Sequence, residues 1–345
     1  METLFGIDYP TWWFLVVGGL FSGYAILDGF DFGAGAWHLF FKKEENRRIA
    51  LNAVGPVWDG NEVWLVIGGG ALFAGFPVLY ASLLSSMYVP FMLFLMFIIF
   101  RAISIEFRGK ESMAWWRKMW DISYSISSVM LAFLLGVVLG NVLQGLAIGP
   151  GFEYKGAGFF EFLNPYAIMV GTTTLALFMS HGAIYLLMKT EGRMFAKLTF
   201  LLKRGMIFFM VSFGITSLYT LLYVPQLSDT FKTNPAYFLV PLLVFLSIAN
   251  IPRLANKKRY KQAFLFSSLT ISLLLVMVAI ELYPTLLLST VDPAYNLTVY
   301  NAASSQKSLS IMLTIAAIGA PLVLAYTIFV YRTFRGKVKL DETSY

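Results

Sequence analysis

Nine long apolar stretches run along this chain, and positive charge returns only in every second gap between them. A pattern of that kind leaves one class of fold, a bundle of helices threaded back and forth through a bilayer. The stretches predict spans at residues 12–40, 54–74, 76–106, 119–146, 165–188, 206–224, 236–251, 263–288 and 309–331. The first gap carries Lys42, Lys43, Arg47 and Arg48, and the third carries Arg108, Lys110, Arg117 and Lys118. The fifth holds Lys189, Arg193, Lys197, Lys203 and Arg204; the seventh holds Arg253, Lys257, Lys258, Arg259 and Lys261. Arg332, Arg335, Lys337 and Lys339 follow the last stretch, so 22 of the 26 cations share one face. The opposite face has only Lys155, Lys232 and Lys307. Loops rich in Lys and Arg stay cytoplasmic, which places the N-terminus outside, the C-terminus inside and the number of spans odd.

Composition agrees. The chain is 58% hydrophobic and 13% charged over 345 residues, with a mean hydropathy of +0.71, too apolar for a soluble domain. A hydrocarbon core of about 30 Å takes about 20 helical residues, and most of the stretches reach that length. Continuous apolar runs, rather than alternating ones, argue against a β-barrel. The net charge of +7 reflects orientation and anionic lipid contact, not nucleic-acid binding. Glu2 and Asp8 near the start leave no basic leader region, so the first span reads as a retained anchor. With no cysteine, disulfides, thiolate ligands and iron–sulfur clusters are excluded.

Residues 147–164 and 289–308 form the longest gaps and read as ordered outward loops or contact sites. A break after the fourth span divides the chain into one four-helix bundle at 12–146, a second at 165–288 and a peripheral ninth helix at 309–331. A shift of four spans preserves orientation, so any duplication would be parallel. Asp28-Gly29 in the first span and His181-Gly182 in the fifth are a faint trace of one.

Five charged residues stand where apolar ones are expected. Asp28 and Asp31 lie three apart in the first span, on one helical face, and Asp59 and Glu62 repeat that spacing at the start of the second. Arg101 lies inside the third, followed by Glu106. At 1.5 Å per residue, Asp31, Asp59 and Arg101 fall roughly 8–14 Å from the cytoplasmic boundary, so four carboxylates and one guanidinium share nearly one level. An intramembrane charge costs about 2.5–3.5 kcal/mol on insertion scales, and these groups must face the interior, pair, hydrate or hold a proton. One reading is a route for protons taken from the cytoplasm. The other is packing, with Gly29, Gly33 and Gly35 allowing close approach and acid–arginine pairs as glue. Asn61 and Trp64 stand ready to add hydrogen bonds.

The remaining polar residues carry weaker signals. Asp121 opens the fourth span, where a helix dipole favours an acid. Asn141 and Gln144 suit loop contacts near its outward end, and Glu281 lies in the outward half of the eighth span. His38 and His181 are the only histidines; buried histidines usually bond a neighbour, and haem ligation by this chain is not expected. The acidic cluster contains no histidine and does not suit a transition metal.

Taken in order, LDGFDFGAG (27–35), GPVWDGNEVWL (55–65), GGALFAGFP (69–77), the Arg101 helix, GNVLQG (140–145), FLNPYAI (162–168), FSSLT (266–270) and ASSQKSL (303–309) resemble subunit II of cytochrome bd-type quinol oxidases. The resemblance implies a two-bundle-plus-one fold in a bacterial cytoplasmic membrane, within an enzyme that oxidises quinol and reduces O₂ to water. It assigns the haems, of b and d type, and the quinol site to a larger subunit I, pseudo-symmetric with this chain. A small single-helix subunit is a further expected partner in such complexes, and a structural quinone in this chain is compatible with the family. Asp28, Asp31, Asp59 and Arg101 match its proposed proton route; at Glu62 relatives can carry an amide. His181 is outside the pattern. Two competitors stay open: a proton-coupled secondary transporter, and a scaffold subunit of the same oxidase whose acids only pack.

Overall fold

The computed structural model describes residues 3–224, 227, 231 and 233–340; Glu2 and Lys232 lie outside them. Eleven α-helices are found among the described residues: α1 Tyr9–Trp37, α2 Glu44–Val54, α3 Trp58–Gly75, α4 Pro77–Ser86, α5 Tyr88–Phe107, α6 Ala114–Gln144, α7 Pro165–Lys189, α8 Gly192–Tyr223, α9 Leu239–Asn256, α10 Tyr260–Leu282 and α11 Gln306–Thr333. Eight segments among them are long and apolar enough to cross a membrane, and α3 with α4 makes a ninth if the bent pair is one span. The chain is a multi-pass membrane protein.

Two departures from the sequence reading have local causes. The first gap, expected as a loop, folds as α2, which buries Ala50, Leu51 and Val54 at helical spacing. The predicted third span does not run unbroken from residue 76. A residue preceding proline is pushed out of the helical region, and Phe76, before Pro77, has φ −131° and ψ 65°, which ends α3 at Gly75. Pro90 then removes an amide and crowds the carbonyl four residues back, breaking the chain at Met87 between α4 and α5. The axes of α3 and α4 are bent by 118°, and the crossing helix begins only at Tyr88.

α8 begins at Gly192 rather than near 206, because Met194, Leu198, Leu201, Leu202, Gly205 and Met206 form a buried stripe. Lys203 and Arg204 occupy the exposed side. α6 likewise starts five residues before the predicted 119. α9 runs from 239 to 256 instead of 236 to 251, after a 3₁₀ turn at Pro235–Phe238. The predicted eighth span, 263–288, stops at Leu282, and Thr285–Leu287 (β3) pairs with Leu297–Thr298 (β4). A short hairpin of β1 (Thr3–Leu4) and β2 (Ile7–Asp8) precedes α1, and Asp8 caps α1 by accepting from the Thr11 amide.

The cation-bearing segments meet one another. Arg117 and Arg108, from the third gap, reach Glu44 of α2; Lys197 donates to the Phe40 carbonyl; Tyr260 packs edge-on against Phe195. After α11 the tail folds onto the end of α7, with Lys337 donating to the Leu187 and Thr190 carbonyls and Val338 to that of Lys189. At the opposite end the two long gaps join: Leu146 donates to the Leu288 carbonyl, and the Ser289 hydroxyl to that of Ile148. Asn141 there ties the Phe162 carbonyl and Asn164 together, the loop contact expected of it.

α1 is the centre of the molecule. From Asp28 to His38 every residue is buried, because α3, α6, α7, α10 and α11 all pack against it. Its closest neighbour is α7. A Cβ on Gly33 would fall on the Phe178 carbonyl and close to the Gly182 amide, and one on Gly182 would strike the Ala34 amide. The two backbones therefore touch, and Gly182 meets Gly33 rather than Gly29. α11 lies outermost, yet it is fastened at its outward end by the Trp13 indole, which donates to the Leu309 carbonyl.

Candidate functional site: a buried acid–guanidinium centre

Helix packing brings three of the five predicted charges onto Arg101. Asp28 and Asp31 face away from the exposed side of α1, Glu62 lies just over one turn into α3, and α5 supplies the guanidinium from its C-terminal half. Arg101 Nη2 donates to Asp28 Oδ1 at 3.0 Å and stands 3.9 Å from Asp31 Oδ2; Nη1 donates to Glu62 Oε1 at 3.2 Å. Asp28, Asp31 and Arg101 have no exposed side-chain surface, while Glu62 keeps 15%. The guanidinium carbon also sits 4.7 Å from the centre of the Phe32 ring, where the negative face of the ring favours a cation.

Asp31 has a second donor. Asn61 Nδ2 donates to Asp31 Oδ2 at 2.7 Å and to the Leu27 carbonyl at 3.2 Å. Tyr331 of α11 holds that amide in place, its hydroxyl donating to Asn61 Oδ1 at 2.8 Å. The peripheral helix thus closes the centre from the side, a contact the sequence reading did not foresee. Trp64 is buried nearby, but its indole N–H has no partner, so of the two neighbours named from sequence only Asn61 bonds the acids.

Asp59 is not brought into the buried group. It occupies the first turn of α3, exposed, one residue after the buried Trp58. It remains within electrostatic range of Glu62. The expected layer of four carboxylates is instead a graded series: Asp59 at the surface, Glu62 half-open, Asp28 and Asp31 enclosed. Two residues separate Asp59 from Glu62, and the α3 start at Trp58 leaves the former exposed in the first turn.

Three carboxylates share one cation, and two of their oxygens, Asp28 Oδ2 and Asp31 Oδ1, are buried without a hydrogen-bond partner. Full ionisation of all three would leave a large uncompensated charge in a dry interior, which is prohibitively costly.

A second ionic cluster, missed from the sequence, lies at the end of the bundle where the cation-bearing segments meet. Asp121 accepts from Arg108 Nε at 2.6 Å, from Arg47 Nη1 at 2.8 Å and from His38 Nε2 at 2.5 Å. It is 1% exposed and His38 is wholly buried. Because α6 starts at Ala114, Asp121 is the eighth residue of the helix and not its first. The dipole explanation therefore falls: this acid is an ion-pair hub.

The histidines show how a haem would fare. His181 Nδ1 is bonded to the Ser267 hydroxyl at 2.9 Å and Nε2 to the Ile26 carbonyl at 3.0 Å, with the ring stacked on Phe264. Neither nitrogen is free for iron. His38 is committed to Asp121 through Nε2.

Comparison with known proteins decides the family. A family profile described as cytochrome bd terminal oxidase subunit II matches residues 9–334. The chain belongs to that family. It is 33% identical to the cytochrome bd ubiquinol oxidase subunit 2 of Bacillus subtilis (strain 168), over 96% of this chain and 97% of the relative. Against the cytochrome bd-I ubiquinol oxidase subunit 2 of Escherichia coli (strain K12), identity is 30% over 97% of each. A chain of the bd oxidase from Geobacillus thermodenitrificans shares the fold, with a TM-score of 0.77 at 19% identity, covering 94% of this chain and 98% of that one. Membership makes this chain a subunit of a respiratory terminal oxidase, an oxidoreductase complex, and sets aside the independent transporter. A second subunit is implied as its partner.

Proposed function

We propose that this chain is the haem-free subunit of a quinol-oxidising bd-type oxidase and that it carries protons from the cytoplasm toward the site of O₂ reduction. The haems, of b and d type, and the quinol site belong in this reading to subunit I, with a small single-helix subunit as a further partner. The chain sits in a bacterial cytoplasmic membrane with its N-terminus outside and its C-terminus inside. The cation-bearing segments, which contact one another at one end of the bundle, support that orientation. The arrangement is two four-helix bundles, residues 12–146 and 165–288, joined along the α1–α7 contact with α11 outside them. A structural quinone in this chain is compatible with the reading but has no assigned residues.

One observation carries the proton role: the acids grade from exposed Asp59 through half-open Glu62 to Asp28 and Asp31, whose orphaned oxygens lie beside a single guanidinium. Burial favours the protonated acid and Arg101 favours the ionised one, so the group is poised between the two states. Making water consumes protons, and Asp28 and Asp31 are the enclosed groups able to deliver them from this side. The test replaces Asp28 or Asp31 by Asn in the intact oxidase and measures O₂ consumption together with haem content. A positioned proton-transfer group contributes roughly 10²–10⁴-fold; a loss of at least ten-fold with haem retained supports the role. Wild-type turnover with normal haem leaves a scaffold whose acids only pack.

A further inference from the structure

His38 and Asp121 form a buried pair for which the acid–guanidinium centre has no use. The charged and titratable groups around them come from three elements: Arg47 and Glu44 from α2, Arg108 from the turn after α5, and Asp121 and Tyr124 from α6. With Arg117 of α6 also on Glu44, three guanidiniums face the two carboxylates, so His38 is neutral at rest and its Nε2–H donates to Asp121. Nδ1 then keeps its lone pair, and it is buried with no partner. A carboxylate on one ring nitrogen fixes the tautomer and holds the ring in place, leaving the other nitrogen open to a proton.

Tyr124 lies three residues after Asp121, on the same face of α6. Its ring meets that of His38 edge-on at 5.1 Å. The Tyr124 hydroxyl is also buried and unpartnered, and it lies in electrostatic range of Arg101, Asp31 and Asp28. Unpaired buried polar atoms are few in folded proteins, yet here His38 Nδ1, the Tyr124 hydroxyl and Asp31 Oδ1 are all unpaired, and the Tyr124 ring lies beside Gly35, between His38 and Asp31 along α1. One or two buried waters, each making about three hydrogen bonds, would satisfy and connect them.

We propose that the His38–Asp121 pair is a second proton-loading site, feeding the Asp28–Asp31–Arg101 centre through the Tyr124 hydroxyl. The proposal rests on that centre handling protons. A proton carried by water adds to the open His38 Nδ1, giving an imidazolium held by Asp121 through Nε2. The Tyr124 hydroxyl, through water, gives its proton to an ionised Asp31 and takes the one on Nδ1, so the tyrosine and the neutral imidazole are both restored. The two inlets, Asp59–Glu62 and His38–Tyr124, then run in parallel and converge on Asp31.

Turnover of the intact oxidase, with haem content as the control for assembly, tests this with Glu62→Gln, Tyr124→Phe, the double variant and Asp31→Asn. Tyr124→Phe keeps the ring and removes a hydroxyl that bonds nothing in this chain, so a purely structural tyrosine leaves the rate untouched. With two comparable routes each single variant keeps about half the wild-type rate, and the double falls to the level of Asp31→Asn. In the Glu62→Gln background, turnover depends on His38, and adding His38→Gln lowers it to the level of the Glu62→Gln, Tyr124→Phe double variant. If Tyr124→Phe matches its parent in both backgrounds while Asp31→Asn is blocked, the second inlet is wrong and the centre stands. If Asp31→Asn itself turns over normally, the underlying proton reading fails, and this inference with it.

Discussion

Arg101 Nη2 lies 3.0 Å from Asp28 Oδ1, and neither side chain touches the surface of the chain. Removing one member of such a pair strands the other. Arg101→Gln is therefore expected to destabilise the subunit by about 3–5 kcal/mol, read as a lower yield of haem-loaded complex and a lower melting temperature. Adding Asp28→Asn to Arg101→Gln should recover part of the loss, because the stranded carboxylate is gone. A double variant no better than Arg101→Gln alone would mean that Arg101 matters by its shape rather than its charge.

The crossing of α1 and α7 tolerates no side chain. A Cβ on Gly33 would lie 1.8 Å from the Phe178 carbonyl oxygen, whereas one on Gly18 meets nothing within 4 Å. Gly33→Ala should cost roughly 1–3 kcal/mol or more through forced backbone shifts and should cut assembly in membranes. Gly18→Ala, in the same helix, should assemble normally. Quantitation of purified complex from equal cell mass compares them.

Tyr331 anchors the outermost helix to Asn61 at 2.8 Å. Loss of that hydroxyl in Tyr331→Phe is expected to cost about 0.5–1.5 kcal/mol and to leave Asn61 free to turn away from Asp31. Turnover should fall by a few-fold, with haem content unchanged. The readout is oxygen consumption across pH, where the deficit should widen toward alkaline pH as protons become scarce.

Orientation is directly accessible because the chain contains no cysteine. Single cysteines at Lys258 and Lys155 should be labelled from opposite sides by a membrane-impermeant thiol reagent. Lys258→Cys is expected to react only from the cytoplasmic face and Lys155→Cys only from the outside, as the distribution of cations requires. The reverse pattern would invert the topology and place Asp59 and Glu62 at the wrong surface for cytoplasmic protons.

The span pattern and the main acid–guanidinium centre were legible in the sequence for a simple physical reason. Charges inside apolar runs are expensive, and helical rise converts their positions into depths. Asp28, Asp31, Glu62 and Arg101 met as those depths implied. Asp59 did not, since depth does not specify which side of α3 it faces, and α3 begins with Trp58 turned inward instead. Asp121 was misread because hydropathy cannot locate where a helix starts in a polar gap: amphipathic turns at 114–118 and 192–205 carry Trp, Lys and Arg and lower the local mean, although they are helical. The Tyr331–Asn61 contact joins residues 270 positions apart, and no local pattern encodes such a pairing. The breaks at Met87 and Phe76 were written in Pro77 and Pro90, whose effect on a helix is local.

Proton uptake during a single turnover tests the central claim most directly. Wild-type and Asp31→Asn oxidase, each with full haem content, are reacted in the reduced state with O₂ in the presence of a pH indicator. If Asp31 conducts protons from the cytoplasm, uptake in the variant slows by at least about ten-fold, and water formation slows with it. Uptake at the wild-type rate in Asp31→Asn would contradict the account and leave the buried acids as packing elements alone.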